Sequence, residues 1–369
     1  MKKEKIVLGI SGGVDSSVAA LLLKKDGYDV HGVFMKNWDD KHAICSAEDD
    51  YADAVSVCKK LDIPLKKIDY TNEYKEKVFK QFLDDHTNGL TPNPDILCNK
   101  EIKFEVFQKY ADKIGAKKIA TGHYADQYKS GSEYYLKKAK DSSKDQSYFL
   151  HQLGQSELKN TIFPLGKILK KDVRDIAKQY SLINYDKKDS TGICFIGERK
   201  YNDFVGEHLS SNEGEIHSID GDILGKHNGH IYFTIGQRKG LGIGARFSAE
   251  DKPWYVAKKD IKRNIVFVVQ GENHPALFSK KIIVEHINWI NKKPKILPKK
   301  YHAKVRYRDK DKECNIFSLD NNSYLIKFDS KQKAITTGQS IVLYDKKGIC
   351  IGGGIISKRD IPFLGQHIE

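Results

Sequence analysis

The sequence SGGVDSS, residues 11–17, determines how the N-terminal part of the chain folds. It follows the apolar run 6–10 and precedes the apolar run 18–23, an order typical of strand, glycine turn and helix. Gly12 and Gly13 allow backbone conformations that a Cβ would forbid. The residues after them can cap the helix start. Because successive backbone N–H groups then point outward from the positive end of a helix, the turn suits a phosphate.

Turns of glycine and serine are common, so an ordinary capped turn between a strand and a helix is the plain alternative. Two better-known phosphate loops are excluded, because the stretch matches neither GxxxxGK[ST] nor GxGxxG. The pattern SGGxDSS after an N-terminal strand resembles the signature of the PP-loop ATP pyrophosphatases. This resemblance implies cleavage of ATP between its α and β phosphates and adenylation of a substrate oxygen.

The composition indicates a basic protein of several domains. A chain of 369 residues is expected to form two or three domains, and its hydrophobic content of 39% supports real cores. Residues 276–369 carry 19 Lys and Arg against 9 Asp and Glu, which accounts for +10 of the net charge of +14. The C-terminal part is therefore expected to grip a nucleic acid, although a merely soluble basic protein would share this composition.

Six cysteines are scattered along the chain without a CxxC pair, so neither a disulfide scaffold nor a zinc or iron–sulfur site is expected. No residue is assigned as a metal ligand. The first apolar run ends at Ser11, which is not typical of a signal peptide, and the run 18–23 is too short to span a bilayer. We expect a cytoplasmic protein that does not contact a membrane.

Strand and helix patterns alternate through the first 125 residues, which predicts an α/β fold with a doubly wound parallel sheet covered on both faces. Ligands of such sheets bind outside the carboxyl ends of the strands. The loops at Ser11, Met35 and Gly122 lie at those ends and are expected to converge. Strands are predicted at 6–10, 28–35, 63–68 and 117–122, and helices at 49–61, 73–83, 100–114, 169–182 and 198–209.

Two cysteines lie in unusual loops. The segment 89–99 contains two prolines that fix an extended backbone, and Asp95 and Cys98 emerge near the start of the next helix, where a thiolate is stabilised. Cys194 lies among small and polar residues of the segment 187–199, close to cations that lower a thiol pKa. A lone cysteine is more often inert, but two such cysteines in an ATP-activating enzyme favour a catalytic pair.

The C-terminal half has the pattern of β-structure. Strand-length apolar runs with turn signals recur over 282–356 and predict a small barrel. Residues 236–244 join cations to four glycines, which suits either a phosphate backbone or a tight turn between two domains. Arg306 and Tyr307 could hold a phosphate and stack a base, or be ordinary exposed strand residues. The polar segment 141–149 is expected to be exposed.

Nine longer motifs are spread along the chain: GISGGVDSS (9–17), VFMKNWD (33–39), TPNPDILCNKEIKF (91–104), ATGHYA (120–125), KDQSYFL (144–150), FPLGK (163–167), KKDSTGICFIGER (187–199), GQRKGLGIG (236–244) and PWYV (253–256). Together they resemble the tRNA-specific 2-thiouridylase (MnmA) family over nearly the whole chain. The resemblance implies a PP-loop catalytic domain of Rossmann-like, HUP type at 1–204, a small β-rich central domain at 205–275 and a tRNA-binding β-barrel at 276–369.

The resemblance also implies a substrate, the wobble uridine of the tRNAs for Lys, Glu and Gln, and roles for matching residues. The catalytic residues would be Cys98, Cys194 and Asp95, the last as an acid or base. ATP would be surrounded by Gly9, Ile10, Ser11, Gly12, Gly13, Val14, Asp15, Ser16, Ser17, Met35 and Gly122. The tRNA would be contacted by Asn93, Pro94, Asp95, His123, Lys144, Asp145, Gln146, Arg306, Tyr307 and Gln339, the first three at the flipped base. The chain departs from the family pattern at Asp126, where many relatives carry arginine, and at Phe233, where tyrosine is usual.

These residue types suit that chemistry. The C2 oxygen of uracil is a poor leaving group, whereas adenylation lets it leave as AMP, with Mg²⁺ balancing the phosphate charge. A persulfide on Cys194 can deliver sulfur, and Cys98 can serve as the resolving or nucleophilic thiol that releases it with formation of a disulfide. A cysteine desulfurase or a sulfur-relay protein would supply the sulfur.

Two alternatives remain open. A PP-loop synthetase that activates a small molecule would use residues 1–125 and leave the basic C-terminal part without a role. A non-catalytic tRNA-binding protein that kept an ATP fold would bind tRNA without releasing pyrophosphate.

Overall fold

The structure is a computed structural model that describes residues 3–38, 46–189, 193, 195–196, 199–243, 252–320 and 322–368. Two residues singled out above, Cys194 and Gly244, lie outside the described residues. Among the helices of the described part, none is long and apolar enough to cross a membrane.

The N-terminal part is an α/β unit built on a parallel sheet. Its elements are β1 (Lys5–Gly9), α1 (Val14–Lys25), β2 (Asp29–Lys36), α2 (Ser46–Lys60), β3 (Leu65–Asp69), α3 (Thr71–Tyr74), α4 (Lys80–Thr87), α5 (Pro94–Leu97), α6 (Phe107–Lys113), β4 (Lys118–Ala120), β5 (Ala125–Ser130), β6 (Glu133–Lys138), α7 (Gln155–Asn160), β7 (Thr161–Ile162), α8 (Lys170–Gln179) and α9 (Tyr201–His208). Five strands lie parallel in the order β3-β2-β1-β4-β7. The predicted doubly wound parallel sheet is therefore confirmed.

The strand order reverses at β1, which lies between β2 and β4. A crevice opens beyond the carboxyl ends of the strands at such a reversal, and it is where ligands of this fold class bind. The side chains of Ile6, Val7 and Leu8 in β1 are fully buried, because helices cover both faces of the sheet. The central strand thus carries the sequence 11–17 directly into the crevice.

Two helical stretches contain π-helical segments, Lys75–Phe79 between α3 and α4 and Cys98–Val106 between α5 and α6. The second stretch begins at Pro94, because proline is favoured at the first helical position, where its missing N–H is not needed. The predicted helix start at Lys100 is therefore wrong, and Cys98 lies one turn inside the helix. π-Helical insertions are frequent at functional sites.

The rest of the chain is β-structure. The central sheet contains β8 (Gly214–Ser218), β9 (Ile223–His227), β10 (Trp254–Asp260) and β11 (Ile265–Gln270) in the order β10-β11-β8-β9. The C-terminal strands β12 (Phe278–Trp289), β13 (Lys299–Lys304), β14 (Lys312–Ser318), β15 (Ser323–Lys333), β16 (Ser340–Tyr344) and β17 (Cys350–Arg359) close in the order β12-β15-β14-β13-β16-β17. The predicted C-terminal barrel is confirmed. Closure pairs every strand and leaves no edge exposed.

The barrel packs directly on the N-terminal α/β unit. Val342 and Tyr344 of β16 share one apolar core with Tyr148 and Leu150, and the Tyr148 hydroxyl donates to the Ser340 carbonyl at 2.8 Å. The expectation that residues 141–149 are exposed is therefore wrong for much of the segment, since Asp145, Ser147 and Tyr148 are all buried. Polar sequence concealed this contact, because its hydroxyl and carboxylate groups are satisfied within the interface.

Candidate active site

The phosphate turn adopts a conformation that only glycine tolerates at its second position. Gly12 has φ of +77°, and a Cβ there would lie 2.1 Å from the Asp50 carbonyl oxygen. After the turn, the Ser16 and Ser17 hydroxyls each donate to the Gly13 carbonyl at 3.0 Å and fix the start of α1. The turn therefore presents its backbone at the N-terminus of a helix of 12 residues, as phosphate binding requires.

Asp15 is held in place by two donors. The Tyr124 hydroxyl donates to its carboxylate at 2.7 Å, and the Lys170 ammonium contacts both carboxylate oxygens at 2.7 and 2.8 Å. Burial raises the pKa of Tyr124 and the negative charge of Asp15 raises it further, so this hydroxyl remains a donor. The carboxylate is about a third exposed and faces the turn with a fixed orientation.

Lys170 is a further residue of the candidate site, and the sequence did not reveal it. It begins α8 and is only 8% exposed. A cation at the positive end of a helix dipole is unfavourable unless something compensates for it. A lysine at the first position of a helix, three residues after the FPLGK motif, is the signal in the sequence that could have indicated this role. Its compensation comes from Asp15 and from Asp189, which Lys170 also contacts at 2.7 Å.

Three cations contact the carboxylate of Asp189, which lies a few residues before Cys194 in the sequence. Lys144 lies 2.8 Å and Arg174 2.9 Å from its carboxylate, in addition to Lys170. Partial burial raises the pKa of Asp189, but hydrogen bonds and charges from Lys144 and Lys170 outweigh this effect and lower it to about 2. Lys144, expected to contact tRNA, is therefore part of an ion network that extends to the phosphate turn.

The other expected ATP residues lie around the same crevice. A Cβ on Gly9 would be 3.3 Å from the Met35 Cε atom, and a Cβ on Gly122 would be 3.0 Å from the Ser16 backbone nitrogen. The ends of β1, β2 and β4 thus converge as predicted. Asn184 is a further residue that the sequence did not reveal. Its buried side-chain amide donates to the Gly12 carbonyl at 2.7 Å and stabilises the turn from the protein interior.

Cys98 is buried within a cluster rich in aromatic side chains that also contains residues of the segment 187–199. The cluster includes Phe195 and Ile196, with Met35 packed against it. The chain segments of the two predicted catalytic cysteines therefore meet on one apolar surface. No distance between the two sulfur atoms follows, since Cys194 lies outside the described residues.

The segment before Cys98 carries the residues expected to contact the base. Asn93 is half-buried and precedes Pro94, the first residue of α5. Burial raises the pKa of Asp95, although the charge of Lys103 opposes this. The carboxyl group therefore retains a proton more readily than an exposed aspartate, which suits an acid or base.

His123 is half-buried beside Gly122 and packs on Phe104, with ring centroids 6.1 Å apart. Its Nδ1 atom forms a hydrogen bond of 2.8 Å with the Thr121 hydroxyl. Burial lowers the pKa of His123 well below its ordinary value, and the charge of Lys103 lowers it further. The ring is therefore neutral near pH 7 and suits stacking or hydrogen bonding rather than an ion pair with phosphate.

Several residues expected to contact tRNA also make contacts inside the protein. Asp145 is 3% exposed and accepts hydrogen bonds from the backbone of Ala139 and Ser147. The Gln146 side-chain oxygen accepts from the Tyr124 backbone at 2.9 Å. Three more residues, all in the C-terminal part, contact protein groups. Arg306 donates to the Ala334 carbonyl, and Gln339 donates to the Thr91 carbonyl at 2.7 Å. The Tyr307 ring packs on the Phe149 ring, with centroids 4.5 Å apart.

The two departures from the family pattern also have local explanations. Phe233 is buried in the central part, edge-on to His227 with ring centroids 5.4 Å apart. The Asp126 carboxylate accepts a hydrogen bond from the Gln127 backbone at 2.9 Å. Phe233 therefore contributes to the core of the central part, and the Asp126 carboxylate forms a hydrogen bond with the backbone of its own strand, β5.

These observations define a class. A glycine turn with a fixed aspartate, at the reversal point of a doubly wound parallel sheet, is the arrangement of a PP-loop, ATP-using enzyme. The family models described as tRNA methyl transferase HUP domain, tRNA methyl transferase PRC-barrel domain and aminomethyltransferase beta-barrel domain match residues 4–198, 202–270 and 279–356. The chain belongs to the tRNA-specific 2-thiouridylase MnmA family.

Curated relatives support this membership. The chain is 50% identical to the tRNA-specific 2-thiouridylase MnmA of Nitrosomonas europaea, over 96% of this chain and 99% of the relative. It is also 50% identical to the protein of the same name from Francisella tularensis subsp. holarctica, over 96% of this chain and all of the relative. The descriptions of the matched family models mention methyl transfer. The phosphate turn of the PP-loop kind instead agrees with the name 2-thiouridylase, which the curated relatives carry.

Solved structures are more distant. The U34-tRNA thiolase NcsA from Methanococcus maripaludis, with its 4Fe–4S cluster, is 19% identical with a TM-score of 0.35, over 55% of this chain and 63% of that chain. Across the described ranges of our chain, no group of three or more His, Cys, Asp or Glu side chains is arranged to hold a metal ion.

Proposed function

We propose that this protein is an ATP-dependent sulfurtransferase that converts the wobble uridine of the tRNAs for Lys, Glu and Gln into 2-thiouridine, with release of AMP and pyrophosphate. Residues 1–204 would carry the chemistry, 205–275 would form the central domain and 276–369 would bind tRNA. The observation that carries the proposal is the position of Met35, which adjoins Gly9 at the phosphate turn and packs on the cluster around Cys98. This position of Met35 supports a single site for nucleotide and thiol.

The phosphate turn would bind ATP through the backbone amides of residues 11–17, with Lys170 facing the phosphates. A Mg²⁺ ion that accompanies ATP takes most of its ligands from phosphate and water. The single carboxylate of Asp15, one-third exposed at the turn, fits the remaining position. When bound, Mg²⁺ neutralises the charge of the phosphates. Lys170 would then divide its contacts between Asp15 and the phosphates.

The uridine must leave its stack before its C2 oxygen can reach the α-phosphate. Asn93 and Pro94 would contact the flipped base, and Asp95 would exchange a proton with it. The raised pKa of Asp95 supports this role. The apolar cluster around Cys98 would exclude water from the adenylated base, which is necessary because water would hydrolyse it.

The sulfur would arrive as a persulfide on Cys194, supplied by a cysteine desulfurase or a sulfur-relay protein. Its terminal sulfur attacks C2, AMP leaves with the former C2 oxygen, and a Cys194–S–S–C2 adduct forms. The Cys98 thiolate then attacks the Cys194 sulfur, which yields a Cys98–Cys194 disulfide and leaves the second sulfur on C2. An external thiol must reduce that disulfide, so we place the reaction in the cytoplasm, where thiols are kept reduced.

Release of radiolabelled pyrophosphate from ATP tests this proposal against its alternatives. The assay is run with tRNA, without tRNA, and with tRNA plus a desulfurase and cysteine. We expect release that depends on tRNA and 2-thiouridine only when the sulfur source is present. Release driven by a small molecule would favour a PP-loop synthetase, and tRNA binding without any release would favour a non-catalytic binding protein.

A further inference from the structure

The extended segment before the base-contacting residues is paired with the C-terminal barrel. The Thr91 backbone nitrogen donates to the Thr337 carbonyl at 3.0 Å. In return, the Gln339 side-chain amide donates to the Thr91 carbonyl at 2.7 Å, with a longer contact of 3.4 Å to the Pro92 carbonyl. The backbone immediately before Asn93 is therefore fixed by groups from the far end of the chain.

Gly338 makes this close approach possible. Its φ is +88°, and a Cβ there would lie 2.7 Å from both the Leu90 Cβ atom and the Thr91 backbone nitrogen. Non-bonded contacts of a Cβ atom are essentially never this short, so any side chain at this position would push the segment away from the barrel. The absence of a side chain is thus a steric requirement of the contact.

A second contact holds the other end of the segment. The buried Asn99 side chain, which follows Cys98, donates to the Phe149 carbonyl at 3.2 Å. The Phe149 ring in turn packs on the Tyr307 ring of the barrel, with centroids 4.5 Å apart. The residues 93–98 therefore lie between two points that the barrel fixes.

We propose that Gly338, Gln339 and Tyr307 are positioning residues that hold the segment 93–98 for the reaction, and that the barrel completes the active site as well as binding tRNA. This inference rests on the proposed function. The donor of Gln339 is already used by carbonyl groups of the protein, which favours positioning over a phosphate contact. A displacement of about 1 Å at a reacting group can cost on the order of 100-fold in rate.

Two substitutions and a matched control test the inference in the full-length protein. Gly338→Ala and Gln339→Ala are compared with Gly348→Ala. Gly348 lies in the barrel with a similar φ of +76°, but the atoms nearest to a Cβ there belong to the Lys138 side chain, at 3.6 Å or more. The control therefore carries the same backbone strain without a push on residues 90–91.

We expect kcat for 2-thiouridine formation to fall about tenfold or more in the two test variants, with the Kd for tRNA changed less than about twofold. Hydrogen exchange of residues 90–98 should become faster in both, while Gly348→Ala resembles wild type in every measurement. The dependence of tRNA binding on salt should be unchanged.

The opposite result would overturn the inference. If Gln339→Ala weakens tRNA binding and lowers the log–log salt slope by about 0.7, while kcat and the exchange of 90–98 stay at wild-type values, Gln339 contacts phosphate instead. The exchange measurement needs no activity, so the two proposals fail separately. Faster exchange in a protein that forms no 2-thiouridine would refute the proposed function and support the pairing of barrel and segment.

Discussion

Asp15 is the residue at which the phosphate turn, Tyr124 and Lys170 meet, so its removal tests the ATP site directly. We expect Asp15→Ala to reduce pyrophosphate release by about 100-fold or more, because the variant lacks the fixed carboxylate that would orient Mg²⁺ at the phosphates. The fold should persist, since Lys170 keeps its contact of 2.7 Å with Asp189. Pyrophosphate assays and circular dichroism check both points, with the exposed Asp172 of α8 changed to Ala as the control. Release at the wild-type rate from folded Asp15→Ala would contradict the assignment.

Lys170 and Arg174 both contact Asp189, but of these two cations only Lys170 also contacts Asp15. This difference separates a catalytic ammonium from a structural ion pair. We expect Lys170→Met to lower pyrophosphate release by about 100-fold, since one preorganised donor has typically that effect. Arg174→Met should lower it less than about threefold. Equal reductions in the two variants would show that the network around Asp189 matters only for stability.

The half-buried carboxyl group of Asp95 leads to a prediction about pH. Its pKa is raised by burial, so the folded state binds this proton more tightly than the unfolded state, and the charged form costs stability above the raised pKa. Asp95→Asn should therefore raise the thermal midpoint near pH 8, and this gain should shrink as the pH falls below the raised pKa and vanish below the ordinary pKa of an aspartate. Thiolation should fall by about 100-fold. Thermal scans across pH provide the check, and a gain that grows towards low pH would contradict the prediction.

At the scale of elements, the hydrophobic pattern predicted the strands whose positions depend on local sequence. The apolar runs of β1, β2 and β4 and the recurring runs of the barrel gave the right strands, since each of these strands has two or more buried positions. The run before and within β3 also predicted a strand, although none of the residues of β3 is fully buried. The two-residue strand β7 has no period to detect, and the hairpin of β5 and β6 is largely half-exposed. The helix start at Pro94 was misplaced because proline was counted against a helix rather than as its first residue.

The two cysteine-bearing elements are expected to have unequal roles. Cys98→Ser and Cys194→Ser should each stop 2-thiouridine formation while pyrophosphate release stays within about threefold, because the phosphate turn lies on a different element. We expect incubation with a desulfurase and cysteine to place a persulfide on Cys194. Mass spectrometry of peptides locates it, and Cys58→Ser, a buried cysteine of α2, serves as the control.

The two thiols must also come within disulfide reach at some stage, with Cα atoms about 4.4 to 6.8 Å apart. A persulfide found on Cys98, with Cys194 unmodified, would reverse the roles. Full 2-thiouridine formation by the Cys194→Ser protein would refute the mechanism.

For the whole molecule, the sequence located the catalytic crevice but not the way in which its parts fit together. SGGVDSS predicted the turn, and the strand ends predicted that Met35 and Gly122 would approach it. Lys170, Asn184 and the pairing of Gln339 with Thr91 depend on contacts between distant parts of the chain, and no local pattern reports those. The same contacts buried Asp145, which sequence alone predicted to be exposed.

The basic charge of residues 276–369 leads to a prediction about tRNA binding. An open pocket of about 360 Å³ in the barrel is lined by Lys299, Lys346 and Lys347, whose side chains are exposed. Changing these three to Ala should weaken tRNA binding and lower its log–log salt slope by about 0.7 to 0.9 for each phosphate that the variant no longer binds. Binding titrations over a range of salt measure the slope. Three exposed lysines of the catalytic part, changed together, provide the control: Lys59, Lys159 and Lys178.

An unchanged slope in the barrel variant would show that the tRNA phosphates are bound elsewhere. Arg238 and Lys239 in the glycine-rich stretch would then be the first residues to test. Arg238 and Lys239 are both exposed in the central part. A slope that falls equally in the barrel variant and the control would show that the protein binds tRNA through its overall charge and not through the barrel.

The central claim is that one site joins ATP cleavage to sulfur transfer on tRNA. Its most direct test counts pyrophosphate and 2-thiouridine in the same reaction, with unmodified tRNA for Lys, ATP, Mg²⁺, a cysteine desulfurase and cysteine. We predict one 2-thiouridine, located at the wobble position by nucleoside mass spectrometry, for each pyrophosphate released. Pyrophosphate released in full with unmodified uridine left at that position would contradict the claim.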